Sequence, residues 1–364
     1  MNIKIEKLIK PHLLKMKVYE PVDPPEVLAQ KSGIKKENIL KLNGNENPYG
    51  GSKKAIKALE NAPLHIYPDP LQRKIRNSLS KYTNMPTENI IAGAGSDELI
   101  DLIFRLFISY GDNIIDFEPT FAMYGFCARI AGASIINVPR DKNFEIDIKA
   151  LENKINDNTK IIFVSSPNNP TGNICSKDQV LRLLQTGKLV VIDEAYYEFS
   201  GYTVAELVKE HENLIVLRTL SKWAGLAGLR IGYALANPIL INHIIDIKSP
   251  YNVNIAAEVA LLASLDDCDN LIKNVELIIN ERNRMFNILQ KINNIKPFPS
   301  YGNYILCELD EGKAKLIVDQ LANNGIFVRY FNTNRLKNFF RIAIGTPSQT
   351  DILIKYIEKF LNKL

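Results

Sequence analysis

Ser221-Lys222-Trp223-Ala224-Gly225-Leu226-Ala227-Gly228-Leu229-Arg230 decides how this chain is read, because it stands in line with two other segments of the same kind. Upstream lie Ser166-Pro167-Asn168-Asn169-Pro170-Thr171-Gly172 and Val190-Val191-Ile192-Asp193-Glu194-Ala195-Tyr196. Each follows or ends an apolar run of strand length: Lys160 to Val164, Leu189 to Ile192, and Leu214 to Leu217. The carboxyl ends of neighbouring parallel strands open on one crevice. An amide, a carboxylate, a phenol, a lysine and an arginine therefore converge there.

That set is what a pyridoxal phosphate site requires: an amine for the Schiff base, an acid facing the pyridinium nitrogen, and cationic and backbone donors for the phosphate. At these residues the chain resembles the fold-type I pyridoxal-phosphate-dependent aminotransferases of class I/II. An amino-terminal set narrows the resemblance to the histidinol-phosphate aminotransferases: Leu42-Asn43-Gly44-Asn45-Glu46-Asn47-Pro48-Tyr49-Gly50, then Tyr67-Pro68-Asp69-Pro70, then Gly93-Ala94-Gly95-Ser96-Asp97-Glu98-Leu99-Ile100. Matches run from about Tyr19 to Arg341 and on to the carboxyl-terminal helix. Asn-Pro-Thr-Gly or Ser-Lys alone is a weak signal; the order and spacing make the set specific. The resemblance implies an α/β fold with a mostly parallel central sheet flanked by helices, a smaller α+β domain, and a homodimer.

With 364 residues, 46% apolar and 23% charged, the composition is that of a globular protein long enough for two cores. The net charge of +5 comes from lysines scattered between acidic residues, which reads as a solvated surface rather than a nucleic-acid patch. Cys127, Cys175, Cys268 and Cys307 are dispersed with no Cys-x-x-Cys pair, so free thiols in a reduced, cytoplasmic protein are expected. His12, His65, His211 and His243 show no metal-ligand spacing. The first 17 residues carry five lysines and one glutamate but no arginine or serine, and read as a short docking helix rather than a targeting leader. No stretch reaches the ~18 apolar residues of a membrane span; Ile231 to Ile245 is interrupted by Asn237, Pro238, Asn242 and His243.

Pro21, Pro24 and Pro25 predict extended chain before a short helix around Pro25 to Lys31. Ser52 caps a helix expected to about Glu60. From there to about Ala236 strand-like runs (Asn89 to Ala92, Asn113 to Phe117, Ser134 to Val138 and the three motif strands) alternate with helical stretches such as Asp97 to Phe107 and Ser176 to Gln185. Alternation of this kind argues a mostly parallel α/β sheet. Beyond it, helices at Ile255 to Ser264 and Leu271 to Lys291 precede strands Tyr304 to Leu309, Ile326 to Arg329 and Phe339 to Ala343, around a helix from Lys313 to Asn323. The expected division is a large cofactor-binding domain over 45–250 and a small domain from 1–44 plus 251–364, completed by the amino-terminal arm as in the resembled family.

The resemblance assigns roles residue by residue. Lys222 is the Schiff-base lysine and catalytic base, since an amine there can move a proton at the substrate α-carbon; in isolation it reads as a surface lysine. Asp193 faces the pyridine nitrogen, although a strand-end Asp could equally cap a helix. Asn169, also a turn residue before Pro170, and Tyr196 match the partners of the cofactor's ring oxygen. Gly95, Ser96 and Asp97 lie just before a helix expected to begin near Glu98, where backbone amides favour an anion. Ser221 and Arg230 match the other phosphate ligands, and Tyr67 reaches the same phosphate from the second subunit. Phe121 matches the aromatic on the cofactor ring, where many members have tyrosine or tryptophan.

For substrate, Arg341 matches the arginine that takes an amino acid's carboxylate in related aminotransferases and a phosphate here, joined by Arg329 and Tyr19. Two guanidiniums suit a dianion. Where many members read Tyr-x-Pro-Gly, this chain has Val22 after Pro21. The implied activity is ping-pong transamination between histidinol phosphate and 2-oxoglutarate, giving imidazole-acetol phosphate and glutamate, in histidine biosynthesis. Transamination of aromatic amino acids, or decarboxylation of a phosphorylated amino acid, would use the same site. An effector-sensing regulator would carry a DNA-binding module besides, and the resemblance leaves no residues for one.

Overall fold

The computed structural model describes residues 4–16 and 18–362; residues 1–3, 17, 363 and 364, all within the expected small domain, lie outside them. Twelve strands occur among the described residues: β1 Leu40–Leu42, β2 Ile90–Gly93, β3 Asn113–Asp116, β4 Ser134–Asn137, β5 Thr159–Ser165, β6 Leu189–Asp193, β7 Leu214–Thr219, β8 Gly232–Ala236, β9 Ile295–Pro297, β10 Tyr304–Leu309, β11 Ile326–Tyr330 and β12 Phe339–Ala343. Seven form one sheet in the order β2-β8-β7-β6-β5-β3-β4. Its pairs from β7 to β4 are parallel, while β8 runs antiparallel to both β2 and β7.

The continuous apolar runs of β5, β6 and β7 are buried because helices cover both faces of this sheet. Alternate residues divide between two cores: Ile162, Val164, Val190 and Ile192 on one face, Ile161, Phe163, Leu189 and Val191 on the other. Helices Ser96–Phe107, Met123–Ala131 and Pro238–Ile247 cover the second face through Leu99, Ile103, Tyr124, Ala128 and Ile241. Helices Arg73–Thr83 and Lys177–Leu184 cover the first through Ile75, Leu79, Val180 and Leu183.

The second sheet has the order β1-β11-β12-β10-β9, with β1 parallel to β11 and the rest antiparallel. Its residues Ile305, Cys307, Phe340 and Ile342 share the first core with the large sheet, so the two sheets are joined by packing rather than by a bare linker. Helix Ile255–Leu265 packs on helices Lys53–Leu59 and Arg73–Thr83 beside the large sheet, although it follows residue 250 in the chain.

Local differences from the sequence reading have physical causes. The expected amino-terminal docking helix is instead two short 3-10 turns, Ile5–Leu8 and Pro11–Leu13, separated near Pro11, whose ring cannot continue a helix from the turn before it. The uncharged stretch from Ile231 is β8 followed by a helix that opens at Pro238 with Asn237 as its cap. The helix after Gly95 begins at Ser96, one residue before the expected Asp97 to Phe107 stretch and two before Glu98. Ser52 does cap its helix, accepting from the Lys54 and Ala55 amides.

Candidate active site

Asp193 is the last residue of β6 and is 3% exposed, facing Ser165 on β5 and Leu217 on β7 across the sheet. Its Oδ2 accepts from the Tyr124 hydroxyl at 2.7 Å and its Oδ1 from the Ala195 amide at 3.1 Å. Burial pushes its carboxyl up to about 6, against the lowering effect of the Tyr124 bond. Sequence reading missed Tyr124. Its signal was present, since it lies one helical turn after Phe121 on a short apolar helix.

Asp193 forms one wall of a cavity of about 1020 Å³ between the carboxyl ends of the large sheet and the face of the small one. Asn169, Tyr196, Ser221, Lys222 and Arg230 line it from the three motif segments, Ser96, Asp97 and Phe121 from the helix Ser96–Phe107 and the loop after β3, and Tyr19, Arg329 and Arg341 from the arm and the small sheet. Twelve residues singled out in the sequence are thus brought together. Gly95 stands just behind the wall, and Tyr67 lies away from it.

Lys222 is half-buried in the cavity wall, and among the described residues its Nζ makes one hydrogen bond, donating to the Gly44 carbonyl at 3.3 Å. Burial, then the nearby Arg341 guanidinium, pull its ammonium down to about 8. An amine that is neutral in an appreciable fraction near physiological pH can act as nucleophile or base. Its loop is held by close backbone packing. Gly225 has φ +67°, and a Cβ there would meet the Gly50 carbonyl oxygen at 2.4 Å.

Tyr196 is buried, receives a bond from Asn45 Nδ2 at 3.0 Å, and meets Tyr304 edge-on at 5.0 Å between centroids. Asn169 Oδ1 accepts from Arg341 Nη1 at 2.5 Å, within a turn whose Ser166-Pro167 and Asn169-Pro170 peptides are cis. Asn168 next to it ties that turn to the loop after β3, accepting from Thr120 Oγ1 at 2.7 Å and donating to the Pro119 carbonyl at 2.9 Å. Phe121 meets Tyr124 edge-on at 5.7 Å.

At the other end of the cavity, helix Ser96–Phe107 starts with no side chain capping its first amides. Gly95 before it has φ +80°, and a Cβ there would meet Arg230 Nη2 at 2.5 Å. Arg230 Nη2 pairs with Asp97 at 2.9 Å, and its Nη1 lies 3.5 Å from Ser221 Oγ. Free helix amides, a serine hydroxyl and a guanidinium make an anion cradle that admits only glycine at its turn.

Arg329 on β11 and Arg341 on β12 are direct register partners, so both side chains leave the same face of the small sheet. Arg341 is 6% exposed, donates Nη2 to the Asn43 carbonyl at 2.7 Å, and keeps a buried Nε with no partner among the described residues. Arg329 Nη2 donates to the Glu20 carbonyl at 3.0 Å, fixing the arm despite the Val22 departure. Tyr19 beside it packs edge-on against Phe126 at 6.0 Å. Asn43, Gly44 and Asn45, quoted in the sequence but given no role there, supply three of these contacts; strand β1 brings them in from the small sheet.

Among the described residues no cluster of His, Cys, Asp or Glu could hold a metal, and no helix is long and apolar enough to cross a membrane. The four cysteines are free.

Residues 37–357 match the family described as aminotransferase class I and II. The histidinol-phosphate aminotransferase of Roseiflexus castenholzii is 45% identical over 99% of this chain and all of that protein. A chloroplastic histidinol-phosphate aminotransferase of Arabidopsis thaliana is 43% identical over 98% of this chain and 86% of its own length. The histidinol-phosphate aminotransferase structure from Sinorhizobium meliloti, in complex with pyridoxal-5'-phosphate, superposes with a TM-score of 0.89 at 25% identity, covering 98% of both chains. Cavity and likeness agree: the chain belongs to the class I and II aminotransferases, and within them to the histidinol-phosphate aminotransferases.

Proposed function

We propose that the chain catalyses amino transfer from histidinol phosphate to 2-oxoglutarate, in two half-reactions at the one cavity, as a step of histidine biosynthesis. The observation that carries the substrate is the pair Arg329 and Arg341, opposed across two strands and both lining the cavity that holds Lys222. Like charges directly opposite destabilise a strand pair unless they share a counter-ion. A phosphate dianion between two guanidiniums is such a counter-ion, and the free Nε of Arg341 is a donor for it. The same arginine can take the carboxylate of glutamate in the second half-reaction.

The cofactor is pyridoxal 5'-phosphate, and the residues present fit it. Its phosphate suits the glycine-restricted cradle of Gly95, Ser96, Asp97, Ser221 and Arg230; its ring nitrogen suits buried Asp193, its ring face Phe121, and its ring oxygen Asn169 and Tyr196. When bound, the cofactor supplies an aldehyde that takes up the substrate's amine and a ring that accepts the electron pair left at the α-carbon. Lys222 Nζ removes the proton from that α-carbon, and its lowered affinity for protons leaves it free to do so. Asp193, oriented by Tyr124, holds a proton at the ring nitrogen.

A homodimer belongs to this reading. Tyr67 is 78% exposed in a single chain and stacks on Tyr251, amid exposed Leu64, Ile66 and Leu71, an apolar surface suited to a second copy. From there Tyr67 would reach the partner's phosphate cradle. A cytoplasmic location goes with the free thiols. The deciding experiment compares half-reaction rates with histidinol phosphate and with phenylalanine. Preference for phenylalanine would replace this reading with an aromatic aminotransferase.

A further inference from the structure

Among the described residues Lys222 Nζ has one long hydrogen bond, so the position of the amine is set by its loop more than by its own hydrogen bonding. Next to it stands Trp223, the chain's single tryptophan and fully buried. Its indole lies face to face on Tyr82, 5.3 Å between centroids and 8° from parallel, and its carbonyl accepts from Asn47 Nδ2 at 2.8 Å. Tyr82, from helix Arg73–Thr83, donates its hydroxyl to Glu198 Oε1 at 3.0 Å. Glu198 is followed by the buried set Arg218 and Glu194, paired at 2.8 Å, with Arg218 over the Tyr197 ring at 3.7 Å. Glu198 Oε2 and Trp223 Nε1 are buried with no hydrogen-bond partner among the described residues.

We propose that Tyr82, Trp223 and Glu198 are positioning residues for Lys222: a stacked clamp that holds the lysine's backbone from beneath while residues 47–51 hold it from the other side. The inference rests on Lys222 being the catalytic amine. Glu198 also makes the clamp sensitive to pH. Burial pushes its carboxyl up to about 8, with Arg218 on β7 acting in the opposite direction; Tyr82, Tyr233 on β8, Glu194 and Cys268 on helix Cys268–Leu289 are the other titratable groups facing it. It is neutral below that pH and ionised above it, and the change occurs beside the ring on which the indole is stacked.

The test uses the cofactor-loaded enzyme and four variants: Tyr82→Leu, Tyr82→Phe, Glu198→Gln and Lys222→Ala. Tyr82→Leu removes the stack and should lower kcat with histidinol phosphate about tenfold, by displacing the amine, with KM held within about twofold. Tyr82→Phe keeps the ring and should recover most of that loss. Emission from the lone tryptophan should pass through a transition near pH 8 in the wild type, with and without cofactor, and the transition should vanish in Glu198→Gln. A folded Tyr82→Leu protein with unchanged kcat would overturn the clamp, and a wild-type emission flat from pH 6 to ~10 would overturn its pH sensitivity. Lys222→Ala separates the two claims: normal turnover there overturns the lysine's role, whereas a dead Lys222→Ala beside an unaffected Tyr82→Leu overturns this inference alone.

Discussion

Replacing Arg329 with Gln tests whether the two arginines recognise a dianion. Arg341 is anchored independently of its neighbour, by the Asn43 carbonyl at 2.7 Å and Asn169 Oδ1 at 2.5 Å, so it should stay in place in the variant. Arg329 has one protein bond, to the Glu20 carbonyl, which Gln can replace in part. What is lost is one charge-assisted partner of the phosphate, ~2–4 kcal/mol of transition-state binding. Arg329 is half-buried, and screening by water places the expectation toward the lower end. The corresponding fall in kcat/KM with histidinol phosphate is roughly thirty- to several-hundredfold. For glutamate, whose α-carboxylate is matched by Arg341, the loss should be several times smaller. Both half-reactions can be followed by the cofactor's absorbance change on rapid mixing. Equal losses, or a larger loss with glutamate, would refute the phosphate clamp.

Lys222→Ala should abolish turnover while the protein stays folded, because the amine makes one long hydrogen bond among the described residues; near-normal turnover removes it from the mechanism. In cofactor-free wild type, acylation of Lys222 should rise through about pH 8, since the amine reacts once deprotonated, and a midpoint above 10 would contradict the burial argument. Asp193→Asn should cut the rate by orders of magnitude, and a loss under about threefold would refute its place at the ring nitrogen. Because its carboxyl is ionised only above about 6, cofactor uptake should weaken as pH drops through that value, read by fluorescence titration. Mixing Lys222→Ala with Tyr67→Phe subunits should restore measurable activity through one intact site per hybrid dimer. Its absence despite proven subunit exchange would show that Tyr67 serves its own chain or none.

Apolar runs and turn residues alone placed β5, β6 and β7 and the three segments that follow them, since burial on both sheet faces leaves a continuous apolar signal and the turns use Asn, Pro and Gly for local backbone reasons. The order of those segments disclosed the family, and with it Lys222, Asp193 and the arginines. Other features depended on partners far along the chain. Tyr124 becomes the partner of Asp193 across 69 residues, and Asn45 that of Tyr196 across 151. The antiparallel insertion of β8 leaves no mark in its composition, because a strand buried on both faces reads alike in either direction. The direct opposition of Arg329 and Arg341 needs a pairing register, and the depression of the Lys222 ammonium needs a cavity wall. Local sequence determines which residues can do chemistry; long-range packing decides which of them meet, and in what charge state, because distance and burial are properties of the folded chain.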